Sequence, residues 1–208
     1  LPLEAGEKGS AMIRGPEYDP DAFLCMVTRK GIIKRTSLDA YRNVRKNGVI
    51  AINLDDDDEL AWVRLTSGND DLLIATRKGM GIRFNENDAR PLGRTARGVK
   101  AIELREGDEV VGMEVLDDAK AVLTVSTTGY GRRSEPSDYR LQSRGGKGTI
   151  NYRTETYGDV AAIAVVDESE QLVTVACTPS EEDQEKPEET AAEEVLPAED
   201  SENSETEE

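Results

Sequence analysis

Histidine is absent from the 208 residues and cysteine occurs only twice, at Cys25 and Cys177. The first absence excludes every Ser-His or Cys-His nucleophile, and together the two remove most zinc and haem sites. Both cysteines lie in alternating apolar runs, where each reads as a small buried hydrophobe suited to a reducing cytoplasm. Aromatic residues make up 4 % of the chain, and no stretch approaches the roughly 20 uninterrupted apolar residues of a membrane-spanning helix. A soluble protein with no membrane partner is expected. The chain opens on Leu1 with neither Met nor a basic-then-apolar leader, which reads as a fragment.

Acids outnumber bases by 43 to 26, giving a formal net charge of −17, which on its face argues against a phosphate-bearing partner. The excess is local. Residues 179–208 contain 14 acids and one base, Lys186, and so carry −13, leaving −4 for the other 178 residues. That acidic stretch has almost no large apolar residue and is expected to be a disordered tail.

The body repeats. Segments starting at Phe23, Asp71 and Lys120 align so that one glycine recurs as Gly31, Gly79 and Gly129 and a second as Gly48, Gly98 and Gly148, at steps of 48 to 50 residues. A period of this length signals a stack of small supersecondary units. Within each unit, short β-branched or alternating runs separated by Gly, Asn and Asp predict about four strands, with the first glycine in a hairpin that needs positive φ. Residues 55–58, four aspartates, align with residues 105–108 and 155–158 as turns before the last strand. Because the other two units lack the aspartates, the run reads as a solvated turn rather than a calcium loop. The expected fold is all-β: a partial, propeller-like array of four-stranded blades. Residues 1–20 read as the end of a preceding blade, 21–170 as three consecutive blades, 171–178 as the start of a further one, and 179–208 as the tail. Tyr41, Tyr139 and Trp62 are expected to serve packing.

The bases recur at two places in each unit: the first hairpin and the loop before the second glycine. In the first unit the candidates are Arg29, Lys30, Lys34 and Arg35, then Arg45 and Lys46. The second supplies Arg77, Lys78 and Arg83, then Arg94 and Arg97, and the third supplies Arg132 and Arg133, then Arg144 and Lys147. Arg42, Arg90, Lys100 and Arg140 fall in the same loops. The acids are expected at the opposite turns. Such a phase predicts one basic ridge per blade at an equivalent radius, a belt suited to a bent duplex backbone bound without reading bases. Gln142, Arg144, Gly145, Gly146, Lys147 and Gly148 make the sharpest stretch, with two bases around paired glycines whose amides can approach phosphates. No catalytic or metal-binding residue is expected.

These residues resemble the C-terminal domain of the bacterial DNA gyrase A polypeptide, part of a type IIA topoisomerase. The resemblance rests on the repeats, the Thr-Arg-Lys-Gly hairpins ending at Gly31 and Gly79, the Thr-Gly-Tyr-Gly-Arg-Arg hairpin ending at Arg133, the loop Arg94 to Val99, and the acidic tail. It implies a β-pinwheel whose blades exchange strands. It also implies a noncatalytic module that wraps duplex DNA so that the whole ATP-hydrolysing enzyme can introduce negative supercoils. The implied partners are double-stranded DNA, the cleavage domain of the same polypeptide, and DNA gyrase B in a heterotetramer. The setting is the bacterial cytoplasm, associated with the nucleoid. ATP and Mg would belong to the holoenzyme and no cofactor to this fragment. The family's Gln-Arg-Arg-Gly-Gly-Lys-Gly box normally lies in the first blade. Here its match is residues 142–148, with Ser143 in place of an arginine, so either the true first blade precedes Leu1, the preferred reading, or this stretch is a box-like variant. The corresponding C-terminal domain of topoisomerase IV and a protein-interaction propeller that ignores DNA are the alternatives.

Overall fold

The run Leu72-Leu73-Ile74-Ala75 is apolar on both sides of the pleat, the pattern of a strand covered on both faces, and all four residues are fully buried. A computed structural model of the chain describes residues 21–43 and 48–167, with Ile13 and Asp19, and shows how that burial arises. The strands are β1 (Phe23–Thr28), β2 (Ile32–Ser37), β3 (Leu60–Thr66), β4 (Asp71–Thr76), β5 (Met80–Asn85), β6 (Val99–Lys100), β7 (Val110–Val115), β8 (Ala121–Ser126), β9 (Gly131–Ser134), β10 (Thr149–Ile150) and β11 (Val160–Val166). They form three antiparallel sheets in the orders β3-β1-β2-β6, β10-β5-β4-β7 and β11-β8-β9.

Sheets and repeats do not coincide. β6 belongs by sequence to the second unit but pairs with β2 of the first, Ile32 opposite Lys100 and Ile33 opposite Val99. β10 of the third unit likewise pairs with β5 of the second, Thr149 opposite Gly81 and Ile150 opposite Met80. Each of the first two sheets therefore takes its outermost strand from the unit that follows. The third sheet has three strands among the described residues. The apolar run 49–54, expected as a strand, forms none; its equivalents pair with the preceding sheet, and residues 1–20 lie outside the described residues apart from Ile13 and Asp19. The expectations for residues 171–178 and 179–208, and for Cys177, also fall outside them.

Side chains from adjacent sheets meet in two cores. Cys25, Val27 and Ile33 of the first sheet pack with Leu72, Ile74, Ile82, Phe84 and Met113 of the second, and Trp62 seals that layer from its margin. Leu73, Ala75 and Val111 on the second sheet's other face pack with Val122, Val160 and Ile163 of the third. Burial drives the Cys25 thiol up to about 12, so it is the inert hydrophobe expected. Gly31, Gly79 and Gly129 turn the three hairpins at φ of 78°, 78° and 86°. The third of the aligned turns departs from expectation: Thr154–Tyr157 is a single turn of α-helix, α1, ended by Gly158 at φ 78°.

A buried charge pair locks the first two sheets together. Arg35 Nε lies 2.8 Å from Glu86 Oε2, with side chains 4 % and 0 % exposed. Glu86 is fully satisfied, accepting from Thr66 Oγ1 at 2.7 Å, Gly68 N at 2.9 Å and Asp70 N at 2.8 Å. The guanidinium donates further to Asn87 Oδ1 and Gly68 O, and it stacks 3.8 Å above the ring of Phe23.

Candidate nucleic-acid interface

Antiparallel pairing decides which charges face one another. Because β3 runs against β1, its first residue Leu60 lies opposite Thr28 at the hairpin end, and so does the acidic turn that precedes it. Arg29 consequently reaches Glu59 at 3.0 Å and Glu109 at 3.5 Å, Lys30 pairs with Asp57, and Arg77 pairs with Glu109. The backbone amides of Lys30 and Lys78 bond Asp58 and Asp108. The expectation that acids and hairpin bases occupy opposite ends is therefore overturned for the first two hairpins. Arg29, Lys30 and Arg77 are neutralised by partners in place; of these hairpin bases, only the Lys78 side chain lacks a partner among the described residues.

Three more candidates are structural. Lys34 is fully buried, its ammonium donating to the carbonyls of Ala51 and Arg94, and burial beside the positive Arg94 lowers its pKa to about 8. Arg35 is spent on Glu86. Arg83, at the register of Arg35 in the next sheet, pairs with Asp71 at 2.7 Å and donates to the carbonyl of Pro136 at 2.8 Å. Neither of the two buried side chains, Lys34 and Arg35, offers surface to a phosphate.

The other basic set lies along the exposed edges of the sheets. Each exchange loop first runs beside the outer strand, Pro91 bridging to Arg35 and Leu141 to Arg83. It then bulges outward and returns as β6 or β10. The return needs glycine: a Cβ on Gly98 would stand 2.6 Å from the carbonyl of Ile33, and one on Gly148 would collide with the carbonyl of Gly81. Residues 89–100 hold four bases and no acid, and residues 139–148 hold three bases and no acid. The side chains of Arg90, Lys100, Arg140 and Lys147 have no partner among the described residues, and all four residues are exposed. Arg97 pairs with Asp55, and Arg94 is half-buried over Lys34. Arg144 bonds backbone carbonyls of the second unit, and the backbone N–H of Gln142 donates to the carbonyl of Arg83 at 3.0 Å. Gly145, at φ 83°, donates to the carbonyl of Ala101 at 2.6 Å, and the carbonyl of Gly146 accepts from Glu103 at 2.8 Å. The left-handed turn at Gly145 and these two backbone bonds join one loop to its neighbour. Arg132 and Arg133 are exposed on β9, Arg132 donating weakly to the carbonyl of Asn151 at 3.4 Å. Arg45 and Lys46 lie outside the described residues.

The tyrosines serve the loops as expected. Tyr139 is buried and donates to Asn151 Oδ1 at 2.6 Å, and Tyr41 reaches the carbonyl of Ala51 at 3.3 Å. Glu86 was not legible as a site: it sits in the turn Glu86–Asp88, which reads as surface, and its partner is 51 residues away. Among the described residues, no group of three or more His, Cys, Asp or Glu side chains could hold a metal ion, and no helix is long and apolar enough to cross a membrane.

An array of strand-exchanged antiparallel sheets, charge-balanced at its hairpins and basic along its exchange loops, belongs with the propeller-like repeat proteins. Residues 22–67, 70–117 and 120–167 match the family model described as DNA gyrase C-terminal domain, beta-propeller. The chain belongs to that family. The DNA gyrase A polypeptide of Clostridium acetobutylicum is 57 % identical over 98 residues, 47 % of this chain and 12 % of that protein. The DNA gyrase A polypeptide of Haloquadratum walsbyi is 48 % identical over 102 residues, again 47 % of this chain and 12 % of the relative. Among solved structures, a C-terminal domain of DNA topoisomerase IV matches with TM-score 0.68 and 25 % identity over 76 % of this chain and 49 % of that one. A DNA gyrase A C-terminal domain matches with TM-score 0.64 and 28 % identity over 72 % of this chain and 50 % of that one.

Proposed function

We propose that this domain binds duplex DNA along its exchange loops and wraps it, serving as the noncatalytic wrapping module of a DNA gyrase A polypeptide. The observation that carries the reading is the pair of acid-free loops, residues 89–100 and 139–148, set at equivalent edges of successive sheets. Exposed lysines and arginines so placed neutralise phosphates and release counterions whatever the base sequence, and repetition around successive sheets favours a curved path. Lys78, Arg132 and Arg133 extend the basic surface, and the box-like residues Gln142 to Gly148 shape one loop of it. In the whole enzyme the wrap would support ATP-dependent negative supercoiling, with ATP and Mg bound elsewhere. Its partners would be the cleavage domain of the same polypeptide, together with DNA gyrase B in a heterotetramer, in a bacterial cytoplasm at the nucleoid. The 42 to 57 % identity of curated gyrase A relatives favours gyrase over topoisomerase IV.

Gel retardation of two unrelated linear duplexes at low and moderate salt tests this reading. Equal retardation of both, lost as salt rises, is expected; retention that ignores salt, or none at low salt, would refute it.

A further inference from the structure

We infer that Arg144, although it sits among the bases of the box-like stretch, is a positioning residue: it staples the base of the second unit's basic loop rather than contacting phosphate. Its Nε donates to the carbonyl of Asp88 at 2.9 Å and its Nη1 to the carbonyl of Lys100 at 2.8 Å, while its amide approaches Asp88 Oδ2 at 3.4 Å. Asp88 ends the turn Glu86–Asp88 and Lys100 ends β6, so the two carbonyls mark the start and finish of the loop carrying Arg90, Arg94 and Arg97. Beside the guanidinium, the bonds from Gly145 to Ala101 and from Glu103 to Gly146 lace the third unit's loop onto the second unit.

The preceding joint reaches the same end by another route. Lys34 and Ile82 hold equivalent registers in their sheets, opposite Met26 and Ile74. In the first joint the Lys34 ammonium rises from beneath and binds the carbonyls of Ala51 and Arg94. In the second, Ile82 has no donor to offer, and Arg144 grips the loop carbonyls from its outer side. Each joint therefore commits one cation to backbone oxygens. On this exposed outer side a guanidinium suits the task because its fixed fork spans two separated acceptors, whereas an ammonium on a flexible, solvated stem lacks the burial that holds Lys34 in place. Lys147, exposed and without a partner among the described residues, is left as the phosphate ligand of the stretch.

The affinity arm of the test rests on the DNA-binding reading; the other arm does not. Arg144→Lys, Arg144→Ala and Lys147→Ala are compared in the 208-residue chain. Amide hydrogen exchange at Gly145 and Glu103 is followed without DNA, and duplex affinity is followed against salt. Both Arg144 variants should speed exchange at the two amides by about tenfold and weaken DNA binding alike, with or without the retained charge. Exchange at Leu72 and Ile74, inside β4, should stay unchanged, separating a loosened loop from an unfolded protein. Lys147→Ala should leave exchange alone and lower the salt slope by about 0.9. Wild-type exchange and affinity in Arg144→Lys, with Arg144→Ala flattening the slope by about 0.9, would make Arg144 a simple phosphate ligand and overturn the inference. If the chain retains no DNA, the functional reading falls while exchange in Arg144→Lys alone decides the staple: acceleration supports it, and wild-type exchange overturns it.

Discussion

Lys34 shows how burial converts a candidate ligand into a structural group with a measurable pH signature. Its pKa falls from 10.5 in the unfolded chain to about 8 in the fold. Between those values the unfolded chain holds a proton that the folded chain has released, so the contribution of this group to stability rises with pH across the window; below pH 8 both states are protonated and its cost is fully present. Cysteine and tyrosine side chains titrate in the same window, but they are common to wild type and a Lys34 variant, so the difference between the two proteins isolates the amine. Urea midpoints of wild type and Lys34→Met at pH 7, 8.5 and 10 should converge or cross as pH rises, because only wild type gains. Parallel curves would show that the amine stays charged. Glu86 poses the complementary case. Glu86→Gln leaves Arg35 buried against a neutral partner, and a loss of about 3–5 kcal/mol is expected in urea denaturation. A loss below about 1 kcal/mol would place the pair in a wetter setting than its burial indicates.

At the scale of elements, the exchange strands are two residues long, and glycine rather than strand propensity sets their register. Gly148→Ala should cost more than about 2 kcal/mol in a denaturant titration, since it combines φ of 72° with a Cβ driven into the carbonyl of Gly81. Gly93→Ala has open space and no left-handed φ, so stability should hold or rise by a few tenths of a kcal/mol. Equal effects of the two substitutions would mean that β10 does not depend on that close approach. These elements also show how far the sequence could be read. The hairpins at Gly31, Gly79 and Gly129 were legible because turn chemistry is local. The placement of Val99–Lys100 in the first sheet was not, since two residues carry no periodicity; only family resemblance supplied strand exchange. The ion pairs of Arg29, Lys30 and Arg77 were not legible for a related reason. A one-dimensional alternation of acids and bases does not reveal that antiparallel pairing folds the turn before β3 back onto the β1–β2 hairpin. Lys34 and Arg35 lie in a polar run that reads as solvent-exposed, yet Lys34 is capped by the following unit's loop at Arg94 and Arg35 by the turn at Glu86 and Asn87.

On the scale of the whole molecule, a chain of net charge −17 presents a basic edge because its charges are sorted, by sequence into residues 179–208 and by pairing onto the hairpin side. The central claim is that the exchange loops, rather than the ion-paired hairpin bases Arg29, Lys30 and Arg77, bind the phosphates. The salt dependence of duplex binding tests it most directly, measured for the 208-residue chain, for a loop variant with Arg90, Lys100, Arg140 and Lys147 all changed to Ala, and for a hairpin variant with Arg29, Lys30, Arg77 and Lys78 all changed to Ala. The loop variant should bind every duplex more weakly and flatten log K against log salt by about 0.9 for each phosphate no longer neutralised, a total of about 3 to 4. The hairpin variant should keep a slope within about one unit of wild type, because three of its four bases already have carboxylate partners. A hairpin variant that loses the slope while the loop variant keeps it would contradict the account.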